Sequence, residues 1–199
     1  MTDLHRTGLL DNSYWSYGTD VATDEAETDN PIEVDTLGIR TDIKKFLSDG
    51  PYTCDTLTHE QHNDHHLIET NHHTDSYCNI ILETHFDADG SGGAFLTEKT
   101  FKAIKHGQPF VVVGCAGSLS ALRDLGYRTF DHAVDNSYDT IQDNTERWIA
   151  VRNTITQLKS QNLHAWFESC RSDVEHNQQL FCSSKAGRLN TLLERIHND

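Results

Sequence analysis

Three groups of residues have types and spacings that suit chemistry. The first is Thr97-Glu98-Lys99, which opens a helix just after a Gly-rich loop. At such a position backbone N–H groups and the helix dipole favour an anion, and a diphosphate is a natural occupant. Glu98 would accept from ribose hydroxyls and Lys99 would neutralise phosphate, with Lys102 one turn further along. A second turn, Gly114-Cys-Ala-Gly117-Ser118, opens another helix after the next strand, so two anion-binding termini would face one crevice. A plain helix cap accounts for the same residues equally well.

The second group is Asp87-Ala-Asp89-Gly-Ser91-Gly-Gly-Ala94-Phe-Leu-Thr-Glu98. It meets the twelve-residue calcium-loop pattern, with oxygen ligands at positions 1, 3 and 5, Gly at 6 and Glu at 12. Against it stand Ala94 at position 8, where a large aliphatic residue pairs such loops, and an entering segment that reads at least as well as a strand. A calcium module would need helices on both flanks. The third group is the histidine cluster His59, His62, His65, His66, His72 and His73, with Asp64 and Cys78 nearby. Helical spacing of His59 with His62, or of His62 with His66, suits zinc or another transition metal, although adventitious metal binding is commoner in such tracts.

The elements that must position these residues follow from pattern. Cys78 to Glu83 and Pro109 to Val113 are apolar runs of the kind found in parallel strands buried on both faces. Between them the sequence predicts a helix over 97–106 that Gly107 ends. Leu119 to Leu125 predicts another, with Ser118 as N-cap and Gly126 as stop. Strand, helix and strand in this order specify an α/β fold with a parallel sheet. Thr41 or Asp42 to Gly50 predicts a short helix, and residues 18–36 read as an acidic loop. Ile141, Trp148, Ile149, Ile155 and Leu158 mark a long amphipathic helix, with further helices after it.

Composition narrows the class. The 199 residues are enough for one domain with a sizeable core. No apolar run approaches the ~18 residues of a membrane span, and the first residues lack a signal-peptide core, so a cytoplasmic protein is expected. Five cysteines at irregular spacing fit reduced thiols better than a disulfide framework. A net charge of −15 opposes nonspecific nucleic-acid binding, which needs an extended basic surface. Residues 96–130 run against that charge: Lys99, Lys102, Lys105, Arg123 and Arg128 face only Glu98 and Asp124. Such a basic island is where an anionic ligand would collect.

The run from Phe95 through Thr97-Glu98-Lys99 and Pro109 to Gly114 resembles the nucleotide-sugar half of GT-B glycosyltransferases. It is similar to the fucosyltransferase and exostosin-like groups, and to glycosyltransferase-like proteins of large phages and marine viruses. In those families a Ser/Thr-Glu-Lys triplet starts a helix ending in Gly, followed by a Pro-containing hydrophobic strand that also ends in Gly. The likeness continues through Gly117-Ser-Leu-x-x-Leu-Arg-x-Leu-Gly126, Thr129-Phe130 and Tyr138-Asp139, and reaches back to Glu83-Thr84 and faintly to Gly8 through Ser16.

The resemblance implies a Rossmann-like core over 78–160, a polar, acidic and His-rich region over 1–77, and C-terminal helices over 161–199 packed on the core. It implies that Glu98 contacts the ribose and Lys99 the diphosphate of a UDP- or GDP-linked sugar, with Thr97, Lys102, Gly114, Gly117 and Ser118 around them. Glu83 would lie across the cleft near the sugar, so that Glu83 and Lys99 would be the catalytic pair. Transfer would be displacement at the anomeric carbon without a required metal, the departing diphosphate being stabilised by Lys99. Complete GT-B enzymes have two such domains, and 199 residues are too few for both. The chain would therefore need a separate N-terminal acceptor domain or protein partner, or would keep the fold without the activity as a virion-associated or interaction protein.

Overall fold

A computed structural model of the chain describes residues 1–17, 34–54, 70–87 and 94–198, with side chains to residue 183. In chain order the elements are α1 (Thr2–Arg6), α2 (Val34–Leu37), α3 (Arg40–Asp49), α4 (Thr70–Thr74), β1 (Asn79–Leu82), α5 (Glu98–Lys105) and β2 (Phe110–Val113). There follow α6 (Ser118–Asp124), a 3₁₀ turn (Ser137–Thr140), α7 (Asn144–Lys159) and α8 (Leu163–Asn198). The fold is mixed α/β. Among the described residues no helix is long and apolar enough to cross a membrane.

β1 and β2 pair in parallel, with Asn79 opposite Phe110 and Leu82 opposite Val113, and α5 is the crossover between them. Every residue of β2 is buried, as its unbroken Phe-Val-Val-Val run requires. Around it one core gathers Ala103 and Ile104 from α5, Leu119 and Leu122 from α6, and Val151 and Ile155 from α7. Phe130 meets Phe110 edge to face at 5.1 Å. The expected strands and the helices between residues 97 and 125 are present with ends shifted by about a residue; the long helix begins at Asn144 and leaves Ile141 outside it, the further helices are the single α8, and β1 is only partly buried apart from Ile81. α3 begins at Arg40 with Ile39 rather than Thr41 or Asp42 as its N-cap. α2 places a helical turn at the end of the stretch read as an acidic loop.

α8 is fastened to the core through polar contacts. Trp166 donates its indole N–H to Ala133 O at 2.9 Å, and the buried Asn177 amide both donates to and accepts from the Arg128 backbone. At the other end of the chain, α1 contributes more than a polar N-terminal region would suggest. Leu4 lies in the core, and Asp3, 3% exposed, accepts from the Trp148 indole at 2.8 Å and from Arg152 at 3.1 Å. Arg6 binds its other oxygen at 3.0 Å.

α4 is docked through His73, which stacks on His106 at 4.6 Å and meets the buried Gln108 at 2.7 Å. Burial, followed by the charges of His73 and Lys105, holds the His106 pKa below its ordinary value, and its Nε2 has no partner among the described residues.

Two outcomes follow. Asp3→Ala leaves a buried indole N–H and a half-buried guanidinium unpaired, so chemical denaturation should show a loss of about 2–4 kcal/mol, with Asp3→Asn in between. His106 has a lower pKa folded than unfolded, so its neutral form is favoured by folding: the stability it contributes is complete above about pH 6.5 and declines as pH falls below that value. Urea midpoints measured from pH 7.5 to 5.5 should fall less steeply in His106→Gln than in the parent chain; equal slopes would contradict the assignment.

Candidate functional site at the carboxyl ends of the parallel strands

The carboxyl ends of β1 and β2 carry the residues singled out by sequence. Glu83 and Thr84 follow β1, Gly114 and Cys115 follow β2, and the start of α5 brings Thr97, Glu98 and Lys99 beside Glu83 and Thr84. Ligands of open α/β sheets bind at such edges.

Glu83 organises this edge. Its side chain is 8% exposed, and both carboxylate oxygens are used. Oε1 accepts from the Thr97 backbone N–H at 3.1 Å and from the Thr100 hydroxyl at 2.6 Å, and Oε2 accepts from the Thr97 hydroxyl. Thr97 in turn is the N-cap of α5, its hydroxyl oxygen accepting from the Lys99 N–H at 3.3 Å. A buried carboxylate with no basic partner among the described residues is tolerable here because three donors and the positive end of a helix surround it. This differs from the expected arrangement: the terminus read as a diphosphate seat holds a carboxylate of the chain itself, and Glu83 reaches the helix rather than standing free across a cleft.

The second helix start is filled in the same way. Asp139, 5% exposed, accepts from the Leu119 N–H at 2.9 Å and the Ser120 N–H at 3.0 Å, while its carbonyl accepts from the Gly117 N–H at 2.8 Å. Ser118, predicted as the N-cap, is instead the first helical residue, and its hydroxyl donates to Cys115 O at 2.8 Å. The N-cap is Gly117 at φ 85°, a left-handed conformation that costs glycine little. Gly114 serves close approach: a Cβ there would lie 3.1 Å from the Ser118 hydroxyl and 3.4 Å from the Glu83 Cβ.

Behind this edge lies Arg147, a residue that sequence reading did not single out. It is 1% exposed, and its N–H groups donate to the carbonyls of Gly114, Ile141, Gln142 and Phe86 and to the Asn144 side chain. Its guanidinium also stacks on Phe86 at 4.4 Å. Burial lowers its pKa from the ordinary arginine value. These contacts tie the loop after β1 to the loop after β2. Cys115 is buried, donates to Asp87 O at 3.1 Å, and has its thiol pKa pushed up by burial, the opposite of a primed nucleophile.

The charged pair Glu98 and Lys99 is exposed at this edge, each over 40% exposed and 3.9 Å apart, with Thr84, His85 and Asp87 exposed beside it. The Lys99 ammonium also rests on two neutral oxygens, the Thr84 hydroxyl at 3.2 Å and the Thr97 hydroxyl at 3.5 Å. Lys102 is half-buried one turn along. The two arginines of the basic island are held in ion pairs, Arg123 with Asp131 at 2.7 Å and Arg128 with Asp173 at 3.0 Å, and Lys105 is exposed at the far end of α5.

Asp89 and Ser91 of the calcium-like loop lie outside the described residues, as do His59, His62, Asp64, His65 and His66. The loop is entered from β1 and not from a helix, so the helix on each flank that a calcium module needs is lacking. His72 stacks on Tyr14 at 4.5 Å, and no three metal-ligating side chains converge among the described residues. No family model, curated protein or solved structure matches the chain.

Glu83→Gln replaces an acceptor by an amide that must face donors. It should lower unfolding free energy by about 1–3 kcal/mol and Thr100→Val by about 1 kcal/mol, measured by urea denaturation. Because both act on one network, the double variant should lose less than the sum of the two. Strict additivity would contradict the shared network.

Proposed function

We propose that this edge is the donor-holding crevice of a glycosyltransferase-like domain, one Rossmann-like half of a GT-B architecture, which binds a nucleotide sugar through Lys99 and Glu98. The observation that carries the reading is the state of Lys99: an exposed ammonium held by hydroxyls beside the carboxyl ends of two parallel strands, while Arg123 and Arg128 are held in ion pairs. An ammonium so placed can pair with a diphosphate without first breaking a close ion pair, since Glu98 stands 3.9 Å away.

In this reading Lys99 neutralises the diphosphate and Glu98 accepts from the ribose. Glu83 is a positioning residue. Its carboxylate fixes Thr97 and Thr100, and so fixes the direction in which the next two side chains leave the helix. The helix dipole at α5 is already answered by Glu83, which moves the recognition of charge from backbone N–H groups to the Lys99 side chain. Any transfer to an acceptor would draw on a second domain or partner, as the resemblance to two-domain enzymes implies.

Thermal shift and calorimetry with UDP, GDP and their sugars test this. A nucleotide at about 100 times its dissociation constant should stabilise the fold by ~2.7 kcal/mol. Lys99→Ala should weaken binding at least tenfold with little change in the stability of the free chain, and Glu98→Ala should weaken it less. If no nucleotide stabilises the chain at millimolar concentration, the reading is wrong.

A further inference from the structure

Among the described residues β1 is an edge strand, paired with β2 on one side alone. In a parallel pair a residue turns its N–H and C=O to one side, and successive residues alternate. The Asn79 N–H reaches Pro109 O at 3.0 Å and the Glu83 N–H reaches Val113 O at 2.9 Å, so positions 79, 81 and 83 face β2. Ile80 and Leu82 therefore direct their N–H and C=O groups away from β2. None of these four groups has a partner among the described residues.

They border a cavity of about 750 Å³ whose other walls include Leu4, Leu9, Trp15 and Ile155. Unpaired N–H and C=O groups along a strand edge are met by water or by another strand, and they form a template for strand pairing. A small apolar ligand would fill the volume and leave those groups unanswered. An extended chain answers them, because its own N–H and C=O groups recur on one side every two residues, roughly 6.6 Å apart. Charge narrows the occupant further. Asp11 and Asp75 line the same cavity, are exposed, and form no ion pair among the described residues. Lys159, the lysine in that wall, is spent on the carbonyls of Gly8, Leu9 and Asp11, and burial holds the Met1 ammonium there below its ordinary pKa.

We propose that the outer edge of β1 is a strand-addition site, taking an extended apolar segment flanked by Lys or Arg from a partner polypeptide as the third strand of the sheet. The site is independent of the nucleotide reading and shares no residue with the Glu98 and Lys99 pair.

The test uses the full chain, labelled with ¹⁵N, and a seven-residue peptide of alternating valine and threonine with a lysine at each end. Amide exchange of Ile80 and Leu82 should be fast in the free chain and slow at least tenfold with the peptide, while Ile81 and Glu83 stay protected throughout. N-methylation of the peptide at the residues facing β1 should abolish binding, methylation at the alternate residues should not, and glutamate ends should weaken it. The proposal is overturned by binding indifferent to the methylation register, by no binding at millimolar peptide, or by full protection of Ile80 and Leu82 in the free chain. A concentration-dependent dimer that protects them would assign the edge to a second copy and overturn it equally.

Discussion

The carboxylate of Glu83 at the start of α5 is the contact on which the rest of this edge depends. It joins the end of β1 to the crossover helix that leads to β2 with three hydrogen bonds, from the N-cap Thr97 N–H and from the Thr97 and Thr100 hydroxyls. Asp139 repeats the arrangement at the start of α6. Two buried acids thus close two helix termini, and Arg147 links the loops behind them through carbonyl oxygens. The edge is consequently stiff where backbone meets backbone. Its exposed charged chemistry includes the side chains that leave the helix outward, Glu98 and Lys99.

This arrangement changes how the basic island works. As a sum of charges, residues 96–130 look like a broad positive surface. In the fold Arg123 and Arg128 face Asp131 and Asp173, and Lys99 is the cation held mainly by neutral groups at the strand ends. An ammonium without a close ion pair, beside a carboxylate, suits a ligand that carries both negative charge and hydroxyl donors. That combination describes a nucleoside diphosphate better than it describes a nucleic acid, which would need many such contacts.

Much of the central fold was legible because its signals are local. The apolar runs at Asn79–Leu82 and Phe110–Val113, the Thr97 cap and the glycines at 107 and 126 each act within a few residues. What escaped depends on distant partners. Nothing near Asp139 announces that it will cap a helix twenty residues earlier, and so Ser118 looked like the cap. Arg147 is an ordinary helical arginine until Phe86, sixty-one residues away, supplies a carbonyl and a ring. Asp3 reads as part of a polar tail, yet it is buried against Trp148 across nearly the whole chain. The resemblance thus pointed to Glu83 but not to its task, which emerges only when Thr97 and Thr100 are brought to it.

Amide chemical-shift mapping of the ¹⁵N-labelled chain against GDP and UDP bears most directly on the role of this edge. Saturable shifts centred on Thr84, Glu98 and Lys99 are predicted. The Leu119 and Ser120 amides, already bound to Asp139, should scarcely move. Shifts centred instead on Leu119 and Ser120, or on the cavity beside β1, or no saturable shifts with either nucleotide, would contradict it.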